Sequence, residues 1–170
     1  LSVGQNADIM CGCDLERPGH VKHLVQYVRE HKPKVVILQP PCTALGPWSH
    51  LNRVVNHDTW RPQYEAAIAI AKVCGMLIYI QLADGRHCLL ENPQGSEIFT
   101  LDCLEHFQQH ANKLIIHQCM AGLVDPDGIP TLKATELWAS SPILLRRLQH
   151  LICDGSHEHV VLQGRCRGHK

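Results

Sequence analysis

Two short strings carry the residue types best suited to chemistry. Pro40-Pro41-Cys42 closes the apolar run from Lys34 to Gln39, and Glu91-Asn92-Pro93 closes the run from His87 to Leu90. A thiolate can split one difficult substitution into two easier steps, and a carboxylate can hold or deliver a proton as charge develops. Reactive side chains at the C-terminal ends of strands are how an open α/β sheet builds its site. A further cluster, Cys153-x-x-x-His157-x-His159, with His117, Cys119 and Cys166 as additional donors, has the residue types of a zinc site. Its spacing is not the two close pairs of a standard finger, and a chain with 13 histidines groups some of them by chance. These are therefore read as ordinary surface or core residues and no zinc is expected. If a metal binds, the set is Cys119, Cys153, His157 and His159.

Each catalytic candidate also has a bland reading. Cys42 can be a small buried hydrophobe in a turn. Glu91 can be a helix N-cap or an ion-pair partner, and Asn92 a turn residue.

Composition limits the classes these residues can serve. A chain of 170 residues fits one domain, spanning 1–170, with a real core. Sixteen basic and sixteen acidic residues cancel, which argues against strong non-specific phosphate binding, so any nucleic-acid contact has to be local. The longest apolar stretch, Ala66 to Ala83, is interrupted by Lys72 and Gln81 and resembles a packed helix more than a bilayer span, so no membrane is expected as partner. Nine cysteines without framework spacing or a secretory leader predict reduced thiols and an intracellular location, nuclear or cytoplasmic. The chain starts at Leu1 rather than a methionine, and a fragment of a longer polyprotein is expected.

The elements that must position the candidates alternate. The spacing of Val21, Leu24, Val25 and Val28 predicts a helix opened by Pro18 and stopped by Pro33. The run 34–39 predicts a buried parallel strand. Residues 43–59 are expected to form a long loop. A helix follows from Tyr64 to Leu82, ended by Asp84-Gly85, then the strand His87 to Leu90. Next come a helix from Leu101 to His110 and a strand from Lys113 to Cys119, with turn chemistry from Asp125 to Pro130. A short strand from Glu136 to Ala139, a helix from Pro142 to Leu151 and a last strand from Val160 to Leu162 complete the pattern. Alternation predicts an α/β fold with a mainly parallel, Rossmann-like sheet and helices on both faces.

The order of these strings resembles the catalytic domain of DNA cytosine-5 methyltransferases. In that family a Pro-Cys motif, a Glu-Asn motif and a Gly-Ile-Pro segment ending in basic residues follow successive strands. Here they look like Pro40-Pro41-Cys42, Glu91-Asn92-Pro93, and Gln118-Cys119 through Gly128-Ile129-Pro130 to Lys133. Pro-Pro-Cys-Thr, Glu-Asn-Pro, Gln-Cys-x-x-Gly-Leu and Cys-x-Gly-x-His-x-His together resemble a methyltransferase-like module of retroelement polyproteins, over most of residues 9–164. The resemblance implies an S-adenosylmethionine-dependent enzyme in which Cys42 adds to cytosine C6 and Glu91 serves N3. It implies cofactor contacts at Asp14, Leu15 and Pro40, and substrate contacts at Pro41, Asn92 and Lys133. The implied partners are nucleic acid, DNA before RNA, with the target base flipped or single-stranded, and other segments of the polyprotein. Asp14 is equally a turn or cap residue.

The departures matter as well. No Phe-x-Gly-x-Gly turn precedes the first helix, which reads as N-terminal truncation of the cofactor half. Thr43 replaces the Gln that commonly follows Pro-Cys, Lys133 stands at an Arg position, and the 37 residues after it are too few for a target-recognition region. Two alternatives therefore stand beside the enzyme: a non-catalytic retroelement-derived interaction module that keeps the fold, and a zinc-stabilised nucleic-acid-binding domain.

Overall fold

The structure, a computed structural model, describes residues 3–160. Pro18 supplies a preset φ at the first turn of α1 (Pro18–His31). The helix ends where Lys32 turns left-handed, one residue before Pro33. β1 (Val35–Leu38) follows directly.

The long loop expected over 43–59 is corrected. α2 (Ser49–Val55) and the start of α3 (His57–Ala83) occupy most of it. Its polar residues Asn52 and Asp58 are helical and exposed, so polarity there marks solvated helix faces rather than irregular backbone.

α3 is long and apolar enough to cross a membrane, yet it packs within the domain. Ala67, Ala71, Cys74, Leu77, Ile78 and Gln81 are buried along it. Gly75 allows the short 3-10 turn Asp102–Leu104 to approach, because a Cβ there would collide with the Cys103 carbonyl. Gln81, fully buried, donates to the carbonyls of Pro33 at 3.1 Å and His87 at 2.7 Å, tying the helix to the entry of both neighbouring strands. Gln81→Leu should strand those carbonyls and lower the unfolding free energy by about 1–3 kcal/mol. An unchanged urea midpoint would show that the bonds hold nothing.

β2 (His87–Pro93), α4 (Glu105–His110), β3 (Asn112–His117), β4 (Ala134–Ala139) and α5 (Pro142–Leu145) complete the regular elements. The expected helix over Leu101–His110 is a 3-10 turn followed by α4, and the expected helix over Pro142–Leu151 is α5 continued as a 3-10 turn, Arg146–Leu151. Val160 makes an isolated bridge to Thr131, and the rest of the expected last strand lies outside the described residues.

The chain is an α/β protein with an open, mixed four-stranded sheet of order β1-β2-β4-β3. The expectation of a mainly parallel sheet is corrected here. β1 and β2 are parallel, but β4 runs antiparallel to both of its neighbours, β2 and β3. The reason lies in the connection: residues 118–133 hold no crossover helix, so the chain folds back beside β3 instead of returning to start a parallel strand.

Helices cover both faces, unequally. Cys88, Leu90 and Trp138 face the larger core formed with α1, α3, α4 and the turns at Glu97–Thr100 and Asp102–Leu104. Leu89, Leu137 and Ala139 face a smaller cluster with Leu145 and Leu148. That second layer does not reach β1, where Ile37 stays 64% exposed.

Candidate functional site

Parallel pairing of β1 with β2 brings their C-terminal ends out side by side, with Leu38 opposite Leu90. Continuing that register sets Gln39 beside Glu91 and Pro40 beside Asn92. Sequence reading put Glu91 and Asn92 after the strand; they lie within β2, so pleating sends them to opposite faces. Asn92 turns into the larger core, 1% exposed, and donates from Nδ2 to the Pro40 carbonyl at 2.9 Å. Its Oδ1 has no hydrogen-bond partner among the described residues. Asn92 is thus a stitch between the two strand ends rather than a turn residue.

Glu91 is half-buried on the other face, opposite Leu137, with a long contact of 3.5 Å from Gln39 Nε2. The bland readings of Glu91 lose their footing. It caps no helix, and none of the ion pairs among the described residues includes it.

Beyond Pro41, which is exposed, the chain tightens at half-buried Cys42, whose carbonyl accepts from the amides of Leu45 at 3.2 Å and Gly46 at 2.6 Å. This turn is pinned to the one after β2. Buried Ser96 donates its hydroxyl to the Leu45 carbonyl at 2.9 Å, and the Glu97 amide donates to the same oxygen at 2.7 Å. Cys42 and Glu91 therefore emerge from one end of the sheet on mutually anchored segments.

Because β4 is antiparallel, its beginning lies at that same end. Lys133, just before β4, holds its carbonyl on the Gln118 amide at 3.0 Å, and the Gln94 amide donates to Ala134 at 3.1 Å. Pro40, Pro41, Cys42, Glu91, Asn92 and Lys133 are thus gathered at one sheet end. Two other thiols are removed from consideration as nucleophiles: burial pushes Cys74 up to about 12 and Cys88 up to about 11.

Of the residues implied for the cofactor, Pro40 stands at this end, whereas Asp14 and Leu15 precede α1. The Asp14 carboxylate is engaged locally, accepting from the Glu16 amide at 3.0 Å and pairing with Arg17 Nε at 3.1 Å. It behaves as the turn residue that its position before Pro18 allowed. Leu15 lines an open groove of about 840 Å³ between α1 and α3, together with Val21, Val25, Val73 and Met76. A second cleft of about 420 Å³ lies between the N-terminal segment and α1, lined by Cys13, His20, His23 and Tyr27. Neither includes Cys42, Glu91 or Pro40, although Glu16, Lys22, Gln26, Arg29 and Glu30 also line the larger one. Asp14, Leu15 and Pro40 do not share either of these two clefts.

At the same sheet end, immediately past β3, the structure also collects Cys119, Cys153, His157 and His159. Their donor atoms lie within 4.8 Å of one another, all four residues half-buried. His117 takes a different role, its Nδ1 accepting from the Cys153 amide at 2.9 Å. Cys166 lies outside the described residues. Partial desolvation and the neighbouring Cys153 raise the Cys119 thiol. No family model, curated protein sequence or solved structure matches this chain.

Proposed function

We propose that this chain is a cytosine-activating domain of the cytosine-5 methyltransferase type, carried within a retroelement polyprotein and acting on DNA inside the cell. One observation carries the reading: Cys42 and Glu91 leave adjacent parallel strands at one end of the sheet, held in register by the bond from Asn92 to Pro40.

The derived step is the addition. The Cys42 thiolate forms a bond to C6 of an unstacked cytosine, and the C5–C6 π pair moves toward C5 as N3 takes a proton held by Glu91. The charge that would otherwise build on the ring is neutralised at N3. Lys133, on the β4 side of the same end, supplies a point charge for a phosphate, without the bidentate geometry of an arginine. In the resembled family the methyl group comes from S-adenosylmethionine, whose bound form supplies an electrophilic methyl. Asp14, Leu15 and Pro40, the residues implied for it, do not share either of the two clefts described.

Addition to C6 needs no methyl donor, so it can be tested alone. The chain is incubated with a single-stranded DNA in which one cytosine has nitrogen in place of C5, making C6 more electrophilic. A covalent adduct on a denaturing gel is expected, and Cys42→Ser should abolish it. An RNA of the same sequence separates the two acceptors. A folded chain that forms no adduct with either overturns the catalytic reading and favours the non-catalytic module.

A further inference from the structure

We propose that Cys119, Cys153, His157 and His159 form a structural zinc site that fastens the irregular segment 152–160 to the turn following β3. This does not rest on the reading of Cys42 and Glu91.

The donors come from two places far apart in sequence. Cys119 lies in the 3-10 turn Gln118–Ala121, which ends at Gly122 in the left-handed region. The other three follow the turn Arg146–Leu151 on a stretch without regular secondary structure. There Asp154 accepts from the Ser156 amide at 2.9 Å, and Gly155 is left-handed with φ +76. This bend returns His157 and His159 toward Cys153.

Distances support a shared centre. Sulfur at about 2.3 Å and nitrogen at about 2.0–2.1 Å from one tetrahedral zinc stand about 3.6 Å apart. Cys153 Sγ is 3.5 Å from His159 Nε2 and 3.8 Å from His157 Nε2. Imidazole N–H groups can serve these two contacts one by one, whereas a cation at the centre serves all four donors, Cys119 Sγ included, at once. The two imidazoles meet edge to face with centroids 4.5 Å apart, as rings do when both aim at one point.

The surroundings fit as well. The Gly155 amide lies 3.3 Å from Cys153 Sγ, a donor that steadies a thiolate, and His117 holds the Cys153 backbone. Two sulfurs and two nitrogens are soft and borderline ligands that select zinc over magnesium or calcium. Four protein ligands leave no open position, so the metal holds structure and activates no water.

What it holds is otherwise lightly secured. Apart from the bond from the Cys153 amide to His117, the segment is tied to the body, among the described residues, by the Val160 amide, which donates to the Pro130 carbonyl at 3.0 Å beside the Thr131 bridge. The metal would close the chain between β3 and Val160 and stiffen the loop that leads into Lys133.

The test uses the full 170-residue chain, reduced and without a polyhistidine tag. Elemental analysis should find about one zinc per chain, and cobalt replacement should give the intense visible bands of a tetrahedral site with a thiolate charge-transfer band in the ultraviolet. His159→Ala should lose the metal, and His159→Cys, which restores a ligand, should keep it. Cys166→Ser should retain full zinc. Chelation should speed hydrogen exchange in 117–123 and 152–160 while α3 stays protected, a readout that stands even if the alanine variant fails to fold. Far less than one zinc per chain with no uptake on titration overturns the site. So does zinc that persists in the Cys119→Ser/Cys153→Ser double variant, zinc lost in Cys166→Ser, or a metal-free chain with a Cys119–Cys153 disulfide.

Discussion

Glu91→Gln should slow solvent deuterium exchange at cytosine C5 by about 10²–10⁴-fold, the range for removing a general acid or base. Exchange reports the addition directly. Once sulfur is bonded to C6, C5 takes a deuteron from water; loss of the original proton and expulsion of the thiolate then return labelled cytosine. The amide keeps the shape of the side chain and its neighbour Gln39 but cannot give or take the proton at N3. Stability should barely move, because Glu91 is only half-buried and makes no ion pair among the described residues. The pair of measurements is decisive: a variant that exchanges as fast as the wild type removes Glu91 from the chemistry. A variant that exchanges slowly but also melts earlier points to a structural role instead.

Trp138→Ala should produce the largest loss of stability, about 3–5 kcal/mol. Trp138 lies on β4 opposite Leu90, 2% exposed, where the central strands meet the helices of the larger core. Phe99 and Phe107 pack on it with centroids 4.8 and 6.2 Å away, and the Lys113 ammonium sits 4.3 Å over its ring. Its Nε1 donates to Glu136 at 2.6 Å, so the one polar atom of the ring is satisfied. Truncation leaves a cavity that neighbours anchored on two strands cannot collapse to fill. Urea unfolding monitored by circular dichroism measures the effect. A shift under about 1 kcal/mol, the level of a tolerated hydrophobic swap, would mean that the core closes over the gap. Trp138→Phe keeps most of the volume and should fall between the two.

These two residues differ in how visible they were. Glu91 stood out because a carboxylate ending an apolar run needs a reason. Trp138 did not, since Glu136 to Ala139 is too short a run to reveal that it sits mid-sheet rather than at an edge. Asn92 shows the same limit. Its type suggested a turn, but its role comes from the Pro40 carbonyl on the neighbouring strand, a partner 52 residues away in sequence. The loop over 43–59 misled for a local reason: solvated helix faces and loops share a composition, and α2 buries little beyond Ser49.

The sequence by itself located α1, β1, the greater part of α3 and the first half of β2, though not the exposure of Val35 and Ile37 on β1, because proline, β-branched runs and helical periodicity act over a few neighbouring residues. It also determined the order in which Cys42, Glu91, Lys133 and the Cys/His cluster occur. Only the tertiary structure decided which of them meet. Had β4 joined the sheet parallel, Lys133 would lie at the end opposite Cys42 and Glu91. The connection at 118–133, which holds only the 3-10 turn Gln118–Ala121, turns β4 antiparallel and brings Lys133 to the end where β3, running the same way as β2, delivers Cys119. Strand direction and long-range donor convergence are set by how distant segments pack, and no local pattern of residues encodes either.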